Sequence, residues 1–282
     1  MSRAASPKAR RAVLLQEMGL APFWTLRARQ MPETERPAEE IADDALDQAS
    51  DRSVDTGFEA PVDLWIDGPA DPWIDAPLAP RPAAATSTAI ASMDWQQLEA
   101  EVAVCERCQL CHGRKRSVFG VGDRRARWLF IGEGPGRKED QQGEPFVGPA
   151  GKLLDNMLLA LDMRRGENVF ITNIVKCRPS GADGRDRPPS AEEAAACLPF
   201  LERQIALIQP TILVALGKTA ALSLLALPEQ TTLGSLRGKA YQYAGRPLVV
   251  TYHPAYLLRT PADKGKVWAD LCQAMDIYGA AS

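Results

Sequence analysis

The sequence predicts an α/β protein: a three-layer α/β/α sandwich around a short, mainly parallel four-stranded sheet, preceded by a disordered N-terminal tail. Three observations lead there. Residues 93–282 alternate short apolar, β-branched runs with longer stretches of helical period, and strands that are apolar on both sides belong to parallel sheets covered on both faces. Residues 1–92 show neither period. The distinctive motifs follow the carboxyl ends of the apolar runs, where open α/β sheets bind their ligands.

The tail comes first. Residues 1–92 carry nine Lys and Arg against fifteen Asp and Glu, a net −6, and are rich in Ala and Pro, as in "DLWIDGPADPWIDAPLAPRPAAATSTA". Such a composition buries too little apolar surface to fold by itself. Within it, "RRAVLLQEMGLAPFWTLR" (residues 10–27) reads as a short amphipathic helix followed by Phe23 and Trp24, an island suited to docking a protein partner. The other 24 basic and 21 acidic residues give residues 93–282 a net +3, so the overall −3 hides a mildly basic folded part. No run reaches the roughly 18 apolar residues of a membrane span, and the basic start leads only into "AVLLQEMGLAPFW", broken by Glu17 and Pro22. A cytoplasmic, nucleoid-associated location without membrane contact is expected.

The folded part then reads as alternating elements. Strands are expected at "RWLFIGE" (127–133), "VFITNIV" (169–175), "TILVALG" (211–217) and "PLVVTYH" (247–253), each bounded by turn residues. Helices are expected at 151–163, 190–209, 218–227 and 266–278. The second opens with a capping box, Ser190 and Glu193, which pairs backbone donors that would otherwise be orphaned. Basic, Gly- or Pro-rich loops at 114–127 and 177–189 offer Arg185 and Arg187 as phosphate contacts.

"CERCQLCH" (105–112) admits three readings. "CQLCH" matches c-type haem attachment, which takes place after export, and no export signal is visible. A ferredoxin run would place its next cysteine where Lys115 stands. That leaves Cys105 and Cys108 as a C-x-x-C pair in search of two further soft ligands, with Cys177 and Cys197 as candidates and Cys111 and Cys272 spare. Spacing separates neither zinc from iron–sulfur nor a ligand pair from two small buried apolar cysteines.

"PAGKLL" and "LGKTAA" suggest a phosphate-binding loop, but Phe146 and Ile212 stand where its first glycine is required. "GEGPG" (132–136) is not the dinucleotide fingerprint either, because Pro135 removes a backbone N–H. Its glycines Gly132 and Gly134 instead allow close approach of a small planar ligand beside Glu133. His253, followed by Pro254 at a strand end, suits a hydrogen-bond donor to a developing anion.

From about Cys105 to Leu271, the blocks "CERC", "VFGVG", "GEGPG", "GEPFVGPAGKLLDNML", "VFITNIVKCRP", "CLPFLERQI" and "HPAYLLR" occur in the order seen in the family 4 uracil-DNA glycosylases, which the chain resembles. The resemblance implies a [4Fe–4S] cluster held by Cys105, Cys108, Cys177 and Cys197. It also implies hydrolysis of the uracil–deoxyribose bond on a flipped-out nucleotide, leaving an abasic site without strand cleavage. Phe146 would stack on the base, Asn173 would read its Watson–Crick edge, His253 would stabilise the departing anion and Glu133 would direct water. Tyr256 or Leu257 would wedge into the vacated stack, with Arg259 near phosphate. The expected partner is uracil-containing DNA and the expected state a monomer. Two departures stand out: the best-known branch has an aspartate where this chain has Gly134 and a thymine-excluding tyrosine where it has Gly136. The competing expectation is a metal-stapled DNA-binding or scaffold module of the same fold without catalysis.

Overall fold

The computed structural model describes residues 87–281. Ten α-helices among them are labelled α1 (Ser87–Ser92), α2 (Trp95–Val104), α3 (Leu110–Gly113), α4 (Arg137–Gln142), α5 (Pro149–Ala160), α6 (Ala191–Ile208), α7 (Lys218–Leu225), α8 (Leu233–Leu236), α9 (Pro254–Arg259) and α10 (Lys264–Ala281). The strands are β1 (Val121–Gly122), β2 (Trp128–Gly132), β3 (Val169–Asn173), β4 (Ile212–Leu216), β5 (Ala240–Tyr243) and β6 (Arg246–Thr251). The expected tail segment 10–27 lies outside the described residues. α1 precedes the expected boundary at residue 93 and sends Ile90 into the core.

The sheet has six strands in the order β1-β3-β2-β4-β6-β5, which corrects the expected four. The four expected runs form its parallel centre. The two additions are antiparallel edges. β1 is only two residues long, too short for any period to show. β5 is joined to β6 by Ala244-Gly245, both with positive φ (51° and 71°), the backbone of a tight type I′ hairpin.

Successive strand residues point to opposite faces, and two cores result. Leu129, Ile131, Leu213 and Val250 pack towards α2, α6 and α7, while Phe130, Ile171, Val214 and Val249 pack towards α5, α9 and α10. All are essentially without exposure, and each such side chain contributes about 1.5–3 kcal/mol of transfer free energy. Helix α6 starts as expected, with Ser190 and Glu193 forming both halves of the capping box. No described helix is long and apolar enough to cross a membrane.

Candidate active site and cysteine centre

The parallel pairing of β2 with β3 sets Gly132 opposite Asn173 at the strands' carboxyl ends. A cavity of about 380 Å³ opens there, lined by Glu133, Gly134, Phe146, Asn173 and His253 among others. Gly132 packs closely behind two of these residues, Asn173 and Phe146. A Cβ at that position would lie 2.4 Å from Asn173 Oδ1 and 2.7 Å from Phe146 Cζ, closer than side chains tolerate.

Asn173 is 2% exposed, and its Oδ1 has no hydrogen-bond donor among the described residues. A buried acceptor left unpaired costs roughly 1–3 kcal/mol, so this atom is poised for a ligand donor. Its main chain is anchored instead: the Asn173 carbonyl accepts from the buried Lys176 Nζ at 2.9 Å.

Phe146 adopts φ 56°, unusual for an aromatic residue, and it is locked there from three sides. Arg165 donates to the carbonyls of Pro145 (2.8 Å) and Phe146 (2.9 Å) while pairing with Asp155. The Glu139 carboxylate accepts from the Val147 and Gly148 N–H groups, each at 3.1 Å. The Phe146 ring lies against the His253 imidazole, with centroids 5.4 Å apart and planes 26° apart.

His253 caps α9, its Nδ1 accepting from the Ala255 N–H at 3.1 Å. Desolvation, assisted by the Arg259 charge, pushes its pKa down to about 4. The ring is therefore neutral near pH 7, and with Nδ1 already accepting, its proton sits on Nε2. Burial pushes the Glu133 carboxyl up, opposed by a hydrogen bond from Thr219 Oγ1 to Oε2 at 2.6 Å.

The cysteines gather elsewhere in the fold. Cys105, Cys108, Cys111, Cys177 and Cys197 line one small chamber beneath α6, whereas Cys272 sits on α10. All are free thiols. Arg114 Nη1 donates to Cys177 Sγ at 3.1 Å and to the Cys105 carbonyl at 2.8 Å. The Lys176 N–H donates to Cys197 Sγ at 3.3 Å. Burial pushes the Cys197 thiol up to about 12. Among the described residues, no three His, Cys, Asp or Glu side chains converge as they would on a single metal ion.

A family model described as the uracil DNA glycosylase superfamily matches residues 119–272, more than half of the chain. A type-4 uracil-DNA glycosylase of Pyrobaculum aerophilum is 43% identical over 64% of this chain and 92% of its own length. The chain belongs to the uracil-DNA glycosylase superfamily. Type-4 uracil-DNA glycosylases of Archaeoglobus fulgidus (39% identical over 64% of this chain and 90% of the relative) and Thermotoga maritima (42%, over 57% and 81%) are similar in the same region.

The expected residues of this superfamily member fall into three groups. Glu133, Gly134, Phe146, Asn173 and His253 come together around the cavity, and Gly132 packs against Asn173 and Phe146. Cys105, Cys108, Cys177 and Cys197 come together around the chamber, which Cys111, expected to be spare, also lines. The expected DNA contacts are divided. The Arg185 side chain is 88% exposed and makes a long 3.7 Å ion pair with Asp183, and Arg259 is exposed.

One of those contacts, Leu257, needs correction, and two others, Arg187 and Tyr256, already have partners within the protein. Leu257 is 0% exposed and packs in the core under α9, so it cannot wedge into DNA, whereas its neighbour Leu258 is 47% exposed. Arg187 ties its loop to the start of α6, with two hydrogen bonds to Glu193 (2.6 and 2.8 Å) and others to the Ser180 and Pro188 carbonyls. Tyr256 stacks on Tyr252 at 4.7 Å, and its hydroxyl donates to Asp263 at 2.6 Å. Sequence reasoning missed Arg165, Glu139 and Thr219. Their partners lie in other elements, and no short motif announces them.

Proposed function

We infer that this chain releases uracil from DNA by hydrolysing the N-glycosidic bond, with the cavity beside Asn173 receiving the flipped base. The observation that carries this reading is the unpaired, buried Asn173 Oδ1 in a cavity that also holds a neutral histidine and an aromatic ring. Uracil presents an N3–H donor and an O4 acceptor. A fixed side-chain amide matches both, Oδ1 accepting from N3–H and Nδ2 donating to O4, whereas cytosine presents the reverse. Phe146 supplies a flat apolar wall for the ring.

As the bond between C1′ and uracil N1 breaks, its electron pair leaves with the base. The resulting uracil anion concentrates charge on O2, and His253 Nε2–H donates to it without an imidazolium being needed. Glu133 orients a water on C1′ of the oxocarbenium-like sugar and accepts its proton, leaving the uracil anion, an abasic sugar and a protonated carboxyl; passing that proton through solvent to uracil N1 gives free uracil and restores the carboxylate. Strand cleavage is not part of the reaction. Lys138, a lysine of the cavity wall, is exposed on α4 and lacks the apolar pocket that activates Schiff-base lysines.

Cys105, Cys108, Cys177 and Cys197 fit a four-thiolate cluster: they line one chamber, with an arginine on one sulfur and a backbone N–H on another. Four thiols from three stretches of chain around one chamber supply the ligand number and type of a [4Fe–4S] cluster. When bound, the cluster supplies a structural cross-link between the C-x-x-C segment, the end of β3 and α6.

The test is a single-turnover assay on a uracil-containing oligonucleotide. Free uracil should appear, with breakage only after alkali and only at that position. Iron-loaded protein that releases none would refute the reading, and colourless protein containing zinc would overturn the cofactor assignment.

A further inference from the structure

The turn "LGKT" (Leu216–Thr219) between β4 and α7 is no phosphate loop, yet it touches both groups assigned to the chemistry. Gly217 has φ 96°, and a Cβ there would lie 3.0 Å from His253 Cβ. Its N–H donates to the Thr251 carbonyl, two residues before His253. Two residues further on, Thr219 Oγ1 donates to Glu133 Oε2 at 2.6 Å.

A threonine in the first turn of a helix ordinarily turns its hydroxyl back to its own backbone. Here the hydroxyl reaches across to the loop after β2. A carboxylate in a loop with two χ torsions before its terminal group has several rotamers, and one short donor selects among them. We propose that Thr219 is a positioning residue for uracil excision, its hydroxyl aiming the Glu133 carboxylate while the turn that carries it seats His253 alongside.

The proposal rests on the reading of Glu133 as the water-directing group. Other charged and titratable groups share its surroundings: Arg137, Lys138 and Glu139 from α4, Asp186 and Arg187 from the loop before α6, His253 from the start of α9, and Lys218 beside Thr219 on α7. Among the described residues, Thr219 is the hydrogen-bond donor to the carboxylate. It favours the ionised form against a desolvation that disfavours it.

Single-turnover uracil release by the iron-loaded enzyme, followed from pH 5 to 9, tests this for wild type, Thr219→Val, Thr219→Ser and Glu133→Gln. Thr219→Val should slow release roughly tenfold at neutral pH, as expected for a misaimed catalytic group. Oligonucleotide affinity should stay unchanged. With the donor gone the carboxyl holds its proton more tightly, so the acid limb of the valine variant should move to higher pH. Thr219→Ser should restore both rate and limb. If the valine variant melts at a lower temperature than wild type, Thr219→Ala, which removes the donor without adding bulk, is read by the same criteria. A slow Glu133→Gln together with a valine variant of wild-type rate and limb would overturn the Thr219 proposal and leave the Glu133 reading standing. An unimpaired Glu133→Gln would remove that reading, and the Thr219 proposal with it.

Discussion

The Asn173 cavity and the cysteine chamber are linked through Lys176, which donates to the Asn173 carbonyl and to Cys197 Sγ, yet their parts are held in different ways. In the cavity the Phe146 loop is held by Arg165 and Glu139 and Glu133 by Thr219, each from another stretch of chain, while His253 is held by its own helix cap. In the chamber the sulfurs are held singly, Cys177 by Arg114 and Cys197 by the Lys176 N–H, and all remain free thiols. The cavity is thus fixed by polypeptide contacts, whereas the chamber gathers cysteine side chains from three stretches of chain, the set proposed to hold the cluster. Damage to the first should appear as lost chemistry in a folded protein. Damage to the second should appear as lost stability.

The strongest separation is expected from Asn173→Ala. A site built to hydrogen-bond its substrate rejects a mismatch by factors of about 10⁴, and single-turnover uracil release should fall by a comparable roughly 10³–10⁴-fold. Duplex binding and thermal midpoint should hold, because the lost acceptor had no partner in the protein. Unchanged turnover would remove Asn173 from recognition.

Cys197→Ser probes the other region. It should abolish the visible iron absorbance and lower the thermal midpoint by roughly 10 °C, the size expected when a structural cross-link is lost from a domain of this length. Cys111→Ser, in the same chamber wall but outside the proposed ligand set, should keep its iron. Loss of colour in that variant would show the ligand set to be wrong.

A smaller effect should follow from Arg165→Met, which removes two carbonyl contacts to the loop bearing Phe146. Release should slow about tenfold as the ring loses its fixed seat, with iron content unaffected. Equal loss of iron and activity would mean that the two regions are not separable.

What could be read beforehand follows the same division. The central strands were legible because their residues are apolar on both faces, while β1 and β5 were not, being short edge strands whose pairing depends on neighbours distant in sequence. The cavity side chains were legible from motif blocks. Their supports were not, because Thr219 lies 86 positions from Glu133 and Arg165 lies 19 from Phe146. Leu257 and Leu258 show the limit most simply. Adjacent residues on a helix point about 100° apart, and it is the packing of α9 against α5 that decides which one is buried.

The mildest prediction concerns the basic loop, where two arginines two positions apart take opposite roles. Arg185 is exposed and only loosely approached by Asp183, so its guanidinium is available to a DNA phosphate. Arg185→Ala should weaken DNA binding a few-fold at low salt and reduce the slope of log affinity against log salt by about one, since one fewer counterion is released. Arg187 spends its donors on Glu193 and two carbonyls. Its carboxylate partner is itself the far half of the α6 capping box, so Arg187→Ala should lower the thermal midpoint by a few degrees and leave the salt slope unchanged. Fluorescence anisotropy of a labelled duplex across a salt series, run beside thermal melts, distinguishes the two. A salt slope that changes with Arg187 and not with Arg185 would reverse their assignments and place the loop's DNA contact against the cavity wall rather than at its tip.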